Sequence, residues 1–449
     1  MPEERKRLIE PAKRIRTFQE IRLGLSRSEA VSNARIYLER ERSVKGEACP
    51  LGTDIFAVLR AIAKNDFSSA LETLFQSNPL PGVTGRIAGE PYLETQVFNK
   101  KGEQISLRAI EAFLGDNARV RKPLAPAKPK QKVAVIGSGP AGLTAASLLS
   151  GAGYRVTVLE SSHVIGGTLS YAYPEFRLPA KVVSISVAAL RDRGVEFVPN
   201  ILLGREVLLQ ELFDQGFAAV LLACGAGVSK VLGIPGEESA GVITAEDFLK
   251  TRHWMKAGED AYTTPLNVGQ KVLIVGADDK AFDCARILVR LGKELVIVVQ
   301  GSESHMGVDA ATIRETAEET VKFRTFARPK KILADHAGCV KGLVCDHLDY
   351  RIDAQGRLNM IVDPEVEFTL EADTVITSAG SEPNTLFLHN LPGLSVGADK
   401  SLGMKPGTWE TNLSGVFACG HLVSPGATLL EAMVSAKRAV AEIEKFLNS

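Results

Sequence analysis

Two segments roughly 140 residues apart follow the same local pattern, and this repeat limits the possible folds more than any other feature. KVAVIGSGPAGLTAASLLSGAGYRVTVLE begins at Lys132 and KVLIVGADDKAFDCARILVRLGKELVIVVQ begins at Lys271. Each reads as a short apolar strand, a turn opening on glycine, a helix and a second strand. Two such βαβ openings predict an α/β chain with two Rossmann-like dinucleotide-binding domains. The chain's 449 residues are too many for one core, so further domains are expected.

The rest of the chain divides around this repeat. Residues 1–117 read as a helical domain, with apolar helical spacing over Ser26–Glu41 and Asp54–Phe75 and with Thr53 or Asp54 as a cap. KPLAPAKPKQK (Lys122–Lys132) holds three prolines, so 118–131 is assigned as an extended linker. The first dinucleotide-binding domain is placed at 132–250, an inserted second one at 251–376, and the remainder of the first at 377–449. The last part contains GVFACGH and closes in an amphipathic helix.

Composition excludes several functions. Lys plus Arg equals Asp plus Glu, 53 each, so no global field draws the chain to nucleic acid or an anionic membrane. A local basic excess (Arg5, Lys6, Arg7, Lys13, Arg14, Arg16, Arg22) reads as a solvated helical face, with a docking surface for an acidic partner as the sharper alternative. Met1–Glu10 lacks the apolar stretch of a secretory signal, and no run reaches the roughly 18 apolar residues of a membrane span. Cys49, Cys224, Cys284, Cys339, Cys345 and Cys419 form no CxxC or CxxxxC pair, which argues for free thiols and a cytoplasmic setting. His163, His253, His305, His336, His347 and His389 lack metal-ligand spacing, so no metal site is expected.

GSGPAG places Gly137, Gly139 and Gly142 directly after a strand and at the start of a helix. There Gly137 permits the tight turn, Gly139 lets backbone approach a pyrophosphate, and Gly142 allows helix to pack on strand. Pro140 and Ala141 open the helix, whose N-terminus favours phosphate. Glu160, ending the next strand, is a ribose acceptor. Gly166, Gly167 and Thr168 come next, where a flavin dinucleotide leaves the first turn. Gly225, in LLACGAG, and Gly380, in TSAGSEPN, mark turns resembling those where nucleotide domains of flavin reductases exchange strands. Gly420 and His421 form a loop expected under the ribityl chain. The helix from about Thr428 and Leu429 would aim its amides at the flavin pyrimidine. Cys224 and Cys419 read as small packing residues.

Over nearly its whole length the chain resembles the small (beta) subunit of NADPH-dependent glutamate synthase and its relatives. NPLPGVTGR (Asn78–Arg86), the glycine motif at 137, YPEFRLP (Tyr173–Pro179), TSAGSEPN (Thr377–Asn384) and GVFACGH carry the resemblance, YPEFRLP being the most diagnostic. It implies an FAD enzyme that takes hydride from NADPH and passes single electrons through two [4Fe–4S] clusters of the N-terminal domain. It also implies cofactor contacts at Arg177 in YPEFRLP and at Gly276 and Ala281 in the second turn.

Three departures qualify that implication. Tyr37, Arg40 and Lys45 replace three of the first four cluster cysteines, leaving Cys49. Thr84 and Ala88 replace two more, and the last positions fall near Leu93–Glu94 and Val97–Phe98. A [4Fe–4S] cluster needs about four thiolates, so no iron–sulfur cluster is expected in this chain. The second turn reads GADDKAFD, with Asp278 where a glycine would meet pyrophosphate. At about 5 Å and an effective dielectric near 20, an unneutralised like-charge pair costs about 3 kcal/mol, part of which Lys280 could offset. Gln300–Gly301 replaces the arginine pair that would clasp a 2′-phosphate, so either NAD(H) binds in an altered way or nothing binds. His421 stands where the family has aspartate.

The expectation is thus an FAD-containing electron-transfer subunit working between NAD(H) and a ferredoxin-like iron–sulfur subunit. A separate catalytic redox subunit would complete the assembly, for example a molybdenum or tungsten aldehyde oxidoreductase-type complex. The rival is a docking scaffold, flavin-bound or empty, with a vestigial nicotinamide site. No catalytic residue is assigned, because the chemistry belongs to the cofactor.

Overall fold

The computed structural model describes residues 7–39, 49–89, 105–117, 130–254, 267–352, 358–383, 391–397, 402–424 and 426–449. Most of the linker assigned to 118–131 lies outside these residues, as do Arg5, Lys6, Arg40, Lys45, Leu93–Glu94, Val97–Phe98, Asn384 and His389.

The N-terminal region is built from α1 (Arg27–Glu39), α2 (Ile55–Ala63), α3 (Phe67–Phe75), α4 (Pro81–Ile87) and α5 (Leu107–Asn117). Ser26 and Glu29 cap α1 reciprocally, each side chain accepting the other's amide. Asp54, rather than Thr53, caps α2 by accepting from Ala57 N at 2.8 Å, while Thr53 bonds Ser77. The apolar run from Asp54 to Phe75 makes two helices instead of one. Asn65 adopts φ +63° and breaks the first, and Asp66 caps the second through Ser69 N. Helices α4 and α5 cross at backbone contact distance, since a Cβ on Gly115 would lie 2.4 Å from Gly82 N.

Two parallel five-stranded sheets follow, each arranged in the same way. The first has the order β15 (Val416–Ala418), β4 (Phe217–Leu222), β1 (Lys132–Ile136), β2 (Arg155–Leu159), β3 (Glu196–Val198). The second has the order β6 (Val242–Thr244), β13 (Thr374–Thr377), β7 (Lys271–Val275), β8 (Glu294–Val298), β9 (Lys322–Arg324). Crossover helices α6 (Pro140–Gly151), α7 (Ala180–Asp192), α8 (Ala245–Trp254), α9 (Asp279–Arg290) and α10 (Ala310–Glu318) join or flank these strands, and α11 (Leu429–Asn448) closes the first domain. The centres of β1 and β7 are buried, as strands covered on both faces require.

β6 corrects the boundary placed at residue 250, because Val242–Thr244 already pairs with β13 in the second sheet. A three-residue edge strand is too short to show a hydrophobic period, so sequence does not reveal it. The chain passes between domains through a two-stranded ribbon, β5 (Val228–Ser229) against β14 (Ser381–Glu382). The two turns LLACGAG and TSAGSEPN feed this ribbon. Beyond the expected elements, β10 (Ala327–Ala334), β11 (Val340–Ile352) and β12 (Leu358–Glu371) form an antiparallel sheet. Among the described residues no helix is long and apolar enough to cross a membrane.

The basic N-terminal arm is not merely a solvated face. Arg14 is buried and pairs with Glu318 at 2.5 Å. Arg22 pairs with Glu315 and Arg7 with Glu29. Arg290 donates to the Thr17 carbonyl, and Ile21 N donates to the Phe176 carbonyl. The acidic partner of this arm is therefore α10 and the residue after it. At its centre Glu319, fully buried, accepts from Arg286 and Arg290 at 2.6 Å each. The two guanidinium ions hold the Glu319 carboxyl below its ordinary range, against the effect of burial. Glu319→Gln leaves these buried cations short of a counter-charge. It should destabilise the second domain by about 3–5 kcal/mol, read as a lower urea midpoint by circular dichroism. A change under about 1 kcal/mol, typical of a surface pair, would contradict this account.

Candidate functional site: a cleft between two dinucleotide turns

The end of β1 is shaped by backbone touching backbone. Gly137 has φ +102°, and a Cβ there would lie 2.6 Å from the Ala223 carbonyl oxygen. A Cβ on Gly142 would lie 2.0 Å from the Gly137 carbonyl oxygen. Gly139 differs, because a Cβ there meets no heavy atom within 4 Å. It is the N-cap of α6 and faces a cleft of about 2150 Å³ that spans both domains. Pro140 follows at the first helical position, where its missing amide costs nothing. Gly167 packs against this turn, its notional Cβ 2.8 Å from Gly139 Cα.

Ser138 is the residue that motif reasoning missed. Its hydroxyl donates to Glu160 Oε2 at 2.6 Å and accepts from Gly166 N at 2.8 Å. Its amide also donates to Glu160, at 2.9 Å, and Ser162 N donates to the other carboxylate oxygen at 2.8 Å. Ser138 thereby ties together the first turn, Glu160 at the end of β2 and the second glycine pair. The only signal in the sequence is its place as the variable residue between two motif glycines.

Of the other predicted residues, Ala141, Thr168, Arg177, Gly225, Gly380, Gly420, His421, Thr428 and Leu429 line the cleft with Gly137, Gly139, Pro140, Glu160 and Gly167. Gly142, Gly166, Gly276 and Ala281 lie outside its lining and support it from behind. Gly225, Gly380 and Gly420 have positive φ, the first two with open space where a side chain would go. Gly420 N donates to Ser435 Oγ. His421 hydrogen-bonds the Ala427 carbonyl through Nε2, so one ring nitrogen is already engaged. Thr428 and Glu431 cap α11 reciprocally, and the Thr428 amide and hydroxyl hold the Glu431 carboxyl low. The helix end facing the cleft thus carries a carboxylate, which opposes a second negative charge there.

Arg177 lines the cleft with its guanidinium engaged by carboxylates of the second domain. It bridges from the first domain to α9, donating to Asp283 at 2.6 Å and Asp279 at 3.1 Å. Burial works against its charge, but Asp283 and Asp279 more than offset it and raise its pKa. For Asp283, 1% exposed, burial prevails and the carboxyl is pushed up to about 6 despite Arg177. Cys224 opens onto the cleft, yet the enclosing walls push its thiol up to about 12, with the Glu160 carboxylate adding to the effect. Cys419 is buried and its thiol is raised further by burial. Neither is set up as a thiolate nucleophile.

The second turn is the first with its ligand face reversed. Gly276 keeps the tight approach, a Cβ there lying 2.1 Å from the Ser378 carbonyl oxygen. Asp278 occupies the position of Gly139, and its carboxylate caps α9 itself, accepting from Ala281 N at 3.0 Å and Ser378 Oγ at 2.5 Å. Lys280 turns away to Glu246 and Ser381. Register sets Val298 opposite Val275 as Leu159 stands opposite Ile136. The counterpart of Glu160 is therefore Val299, an apolar residue. Gln300–Gly301 lies just beyond it.

Three of the positions that the resemblance gives to cluster cysteines, Tyr37, Thr84 and Ala88, fall among the described residues and are packed into the core. Tyr37 is buried beside Phe56, ring centroids 6.0 Å apart. Thr84 donates to Glu111 and accepts from Asn78 within the core. Ala88 is buried. Among the described residues no group of three or more His, Cys, Asp or Glu could hold a metal ion.

Two family models match the chain. The family described as pyridine nucleotide-disulphide oxidoreductase matches residues 131–442. A second, described as dihydropyrimidine dehydrogenase domain II, 4Fe-4S cluster, matches residues 14–123, a stretch containing Cys49 as its single cysteine. The glutamate synthase [NADPH] small chain of Azospirillum brasilense is 31% identical over 395 residues, covering 85% of this chain and 81% of that one. The NADP(+)-dependent formate dehydrogenase subunit beta of Moorella thermoacetica is 30% identical over 428 residues, 89% of this chain but 59% of the relative's length. The structure of Mycobacterium tuberculosis FprA in complex with NADPH aligns with TM-score 0.58 at 22% identity, covering 72% of this chain and 85% of that one.

Two outcomes follow from the site's geometry. Gly139→Asp imports the self-capped arrangement of the second turn into the first and should abolish flavin retention, read as loss of the 450 nm band. Retention of full yellow colour would remove this turn from the site. The folded Asp283 carboxyl holds its proton up to about pH 6 and the unfolded one to about 3.8. The folded state therefore binds more protons between these values, and this contribution to stability falls as pH rises through the window. Between pH 4 and 6 the melting temperature of Asp283→Asn relative to wild type should rise, measured by thermal scans. A pH-independent difference would refute the raised carboxyl.

Proposed function

The chain belongs to the pyridine nucleotide-disulphide oxidoreductase family, as an oxidoreductase of the FAD and NAD(P)H class, and on that premise we propose that it is the flavin-bearing electron-transfer subunit of a larger redox complex. It would exchange electrons between NAD(H) and an iron–sulfur partner subunit. The observation that carries this reading is the first turn, where Gly139 leaves a cradle open beside a helix N-terminus and Ser138 and Ser162 fix the Glu160 carboxylate at the edge of the cleft. Bound FAD would supply the conversion between hydride and single-electron transfer. Gly137–Ala141 would hold its pyrophosphate, Glu160 its adenosine ribose, and Gly420, His421 and the start of α11 its flavin half.

The one-electron side is assigned to another polypeptide because residues 14–123 offer one thiol, too few for a cluster. Support for a multi-subunit setting comes from relatives named as beta or small chains, including a formate dehydrogenase subunit and an NADPH-Fe(3+) oxidoreductase subunit of Geobacter sulfurreducens. A molybdenum or tungsten aldehyde oxidoreductase-type partner extends this by analogy. Those relatives are named for NADP(H), whereas the loss of a cation pair at Gln300–Gly301 favours NAD(H) here.

A second reading is favoured by one observation. The Asp278 carboxylate takes the donors a nucleotide phosphate would use, which suits a flavin-bound or empty scaffold with a vestigial nicotinamide site. Anaerobic stopped-flow bleaching of the flavin separates the two. The proposal expects fast bleaching by NADH, slower bleaching by NADPH, and iron well below one atom per chain. Asp278→Gly should then strengthen nucleotide binding about 10- to 100-fold by removing the like charge. Flavin that neither nucleotide bleaches, in wild type or in Asp278→Gly, would establish the scaffold instead.

A further inference from the structure

One face of α8 turns toward the first domain. Glu246, Lys250 and Trp254 follow at four-residue spacing and so share one stripe of the helix. Tyr171 Oη donates to Glu246 Oε1 at 3.1 Å, and the Lys250 ammonium stands 5.1 Å from the Tyr171 ring centre. The Trp254 indole meets Tyr171 and His163 edge to face, with centroids 5.7 and 5.9 Å away. His163 lies three residues beyond Glu160. An indole from the second domain therefore rests against the loop that leaves the first domain's ribose acceptor.

Glu246 is already engaged by Lys250 at 2.9 Å and by Lys280 at 2.7 Å. Trp254 has no such closure: it lines the cleft with 43% of its surface exposed. An aliphatic wall reaches the same end. Ile201 N donates to the Glu160 carbonyl at 2.8 Å and Asn200 N to the Ser162 carbonyl at 3.1 Å, and Ile201–Leu203 line the cleft there. A base attached to a ribose on Glu160 would emerge among these apolar and aromatic surfaces.

We propose that Trp254 is the ring on which the adenine of the bound flavin dinucleotide stacks, so that the second domain closes the adenosine end of the first domain's site. This rests on the first turn being the FAD site. Stacking of a base on an aromatic ring is independent of base-edge hydrogen bonds, so the full contribution is lost on truncation and largely kept by another aromatic.

The test compares FAD with FMN, which lacks the adenosine half, on the full-length chain after flavin removal. Trp254→Ala should weaken FAD roughly 10- to 100-fold while leaving FMN within about twofold, and Trp254→Phe should recover most of the loss. The chain has two tryptophans, so in a Trp409→Phe background ADP should quench Trp254 emission saturably. Undiminished FAD affinity in Trp254→Ala, equal losses for FAD and FMN, or no quenching by bound ADP would each overturn the stacking role. A wild-type chain that binds neither FAD nor FMN would instead sink the reading of the first turn, and the stacking role with it.

Discussion

The contact between the Gly137 and Gly142 backbones sets the geometry on which the rest of the cleft depends. A side chain at either place would collide with a carbonyl oxygen at 2.0 to 2.6 Å, so the chain can leave β1 and enter α6 at this angle only with glycine. That angle presents the α6 N-terminus to the cleft. It also brings Ser138 within reach of Glu160 and Gly166, and a single hydroxyl joins three loops. Where helix, strand and loop meet so closely, small residues are required by sterics and the polar residue between them acquires its role from its neighbours.

Internal duplication makes the chain its own control. Both turns keep the leading glycine that approaches the opposite loop, at Gly137 and Gly276. They part at the next motif position. An absent side chain at Gly139 leaves the helix N-terminus open to a ligand, while the carboxylate of Asp278 satisfies the same kind of N-terminus from within. Helix capping and phosphate binding use the same donors, so a good cap is a competitor for the ligand. The acidic turn is therefore compatible with a stable second domain, whatever it does to nucleotide affinity.

The two domains are joined by charge as well as by chain. Arg177 reaches from the first to Asp279 and Asp283 of the second, and the N-terminal arm runs from α1 to α10 through Arg14 and Arg22. Arg14 and Asp283 are the buried ends of these pairs, and stripping either of its partner is costly, so they favour one relative orientation more than they add to net stability. The ribbon of β5 and β14, only two residues per strand, is a slender connection beside them.

Much of this was legible in the amino-acid sequence. The βαβ repeat, the first glycine turn with Glu160 beside it, the strand exchange at LLACGAG and TSAGSEPN, and the Asp54 cap all rest on local rules of turn sterics and hydrophobic period, which act within a few residues. The sequence also shows directly that residues 14–123 carry one thiol. Tertiary structure decided what no local rule reaches: that Arg177 faces carboxylates of α9, that Asp278 caps its own helix against Ser378, and that Glu315, Glu318 and Glu319 meet an arm some 300 residues earlier. Each of those choices is made by a side chain whose partner is distant in sequence, and charge alone does not say which of many opposite charges will be desolvated beside it.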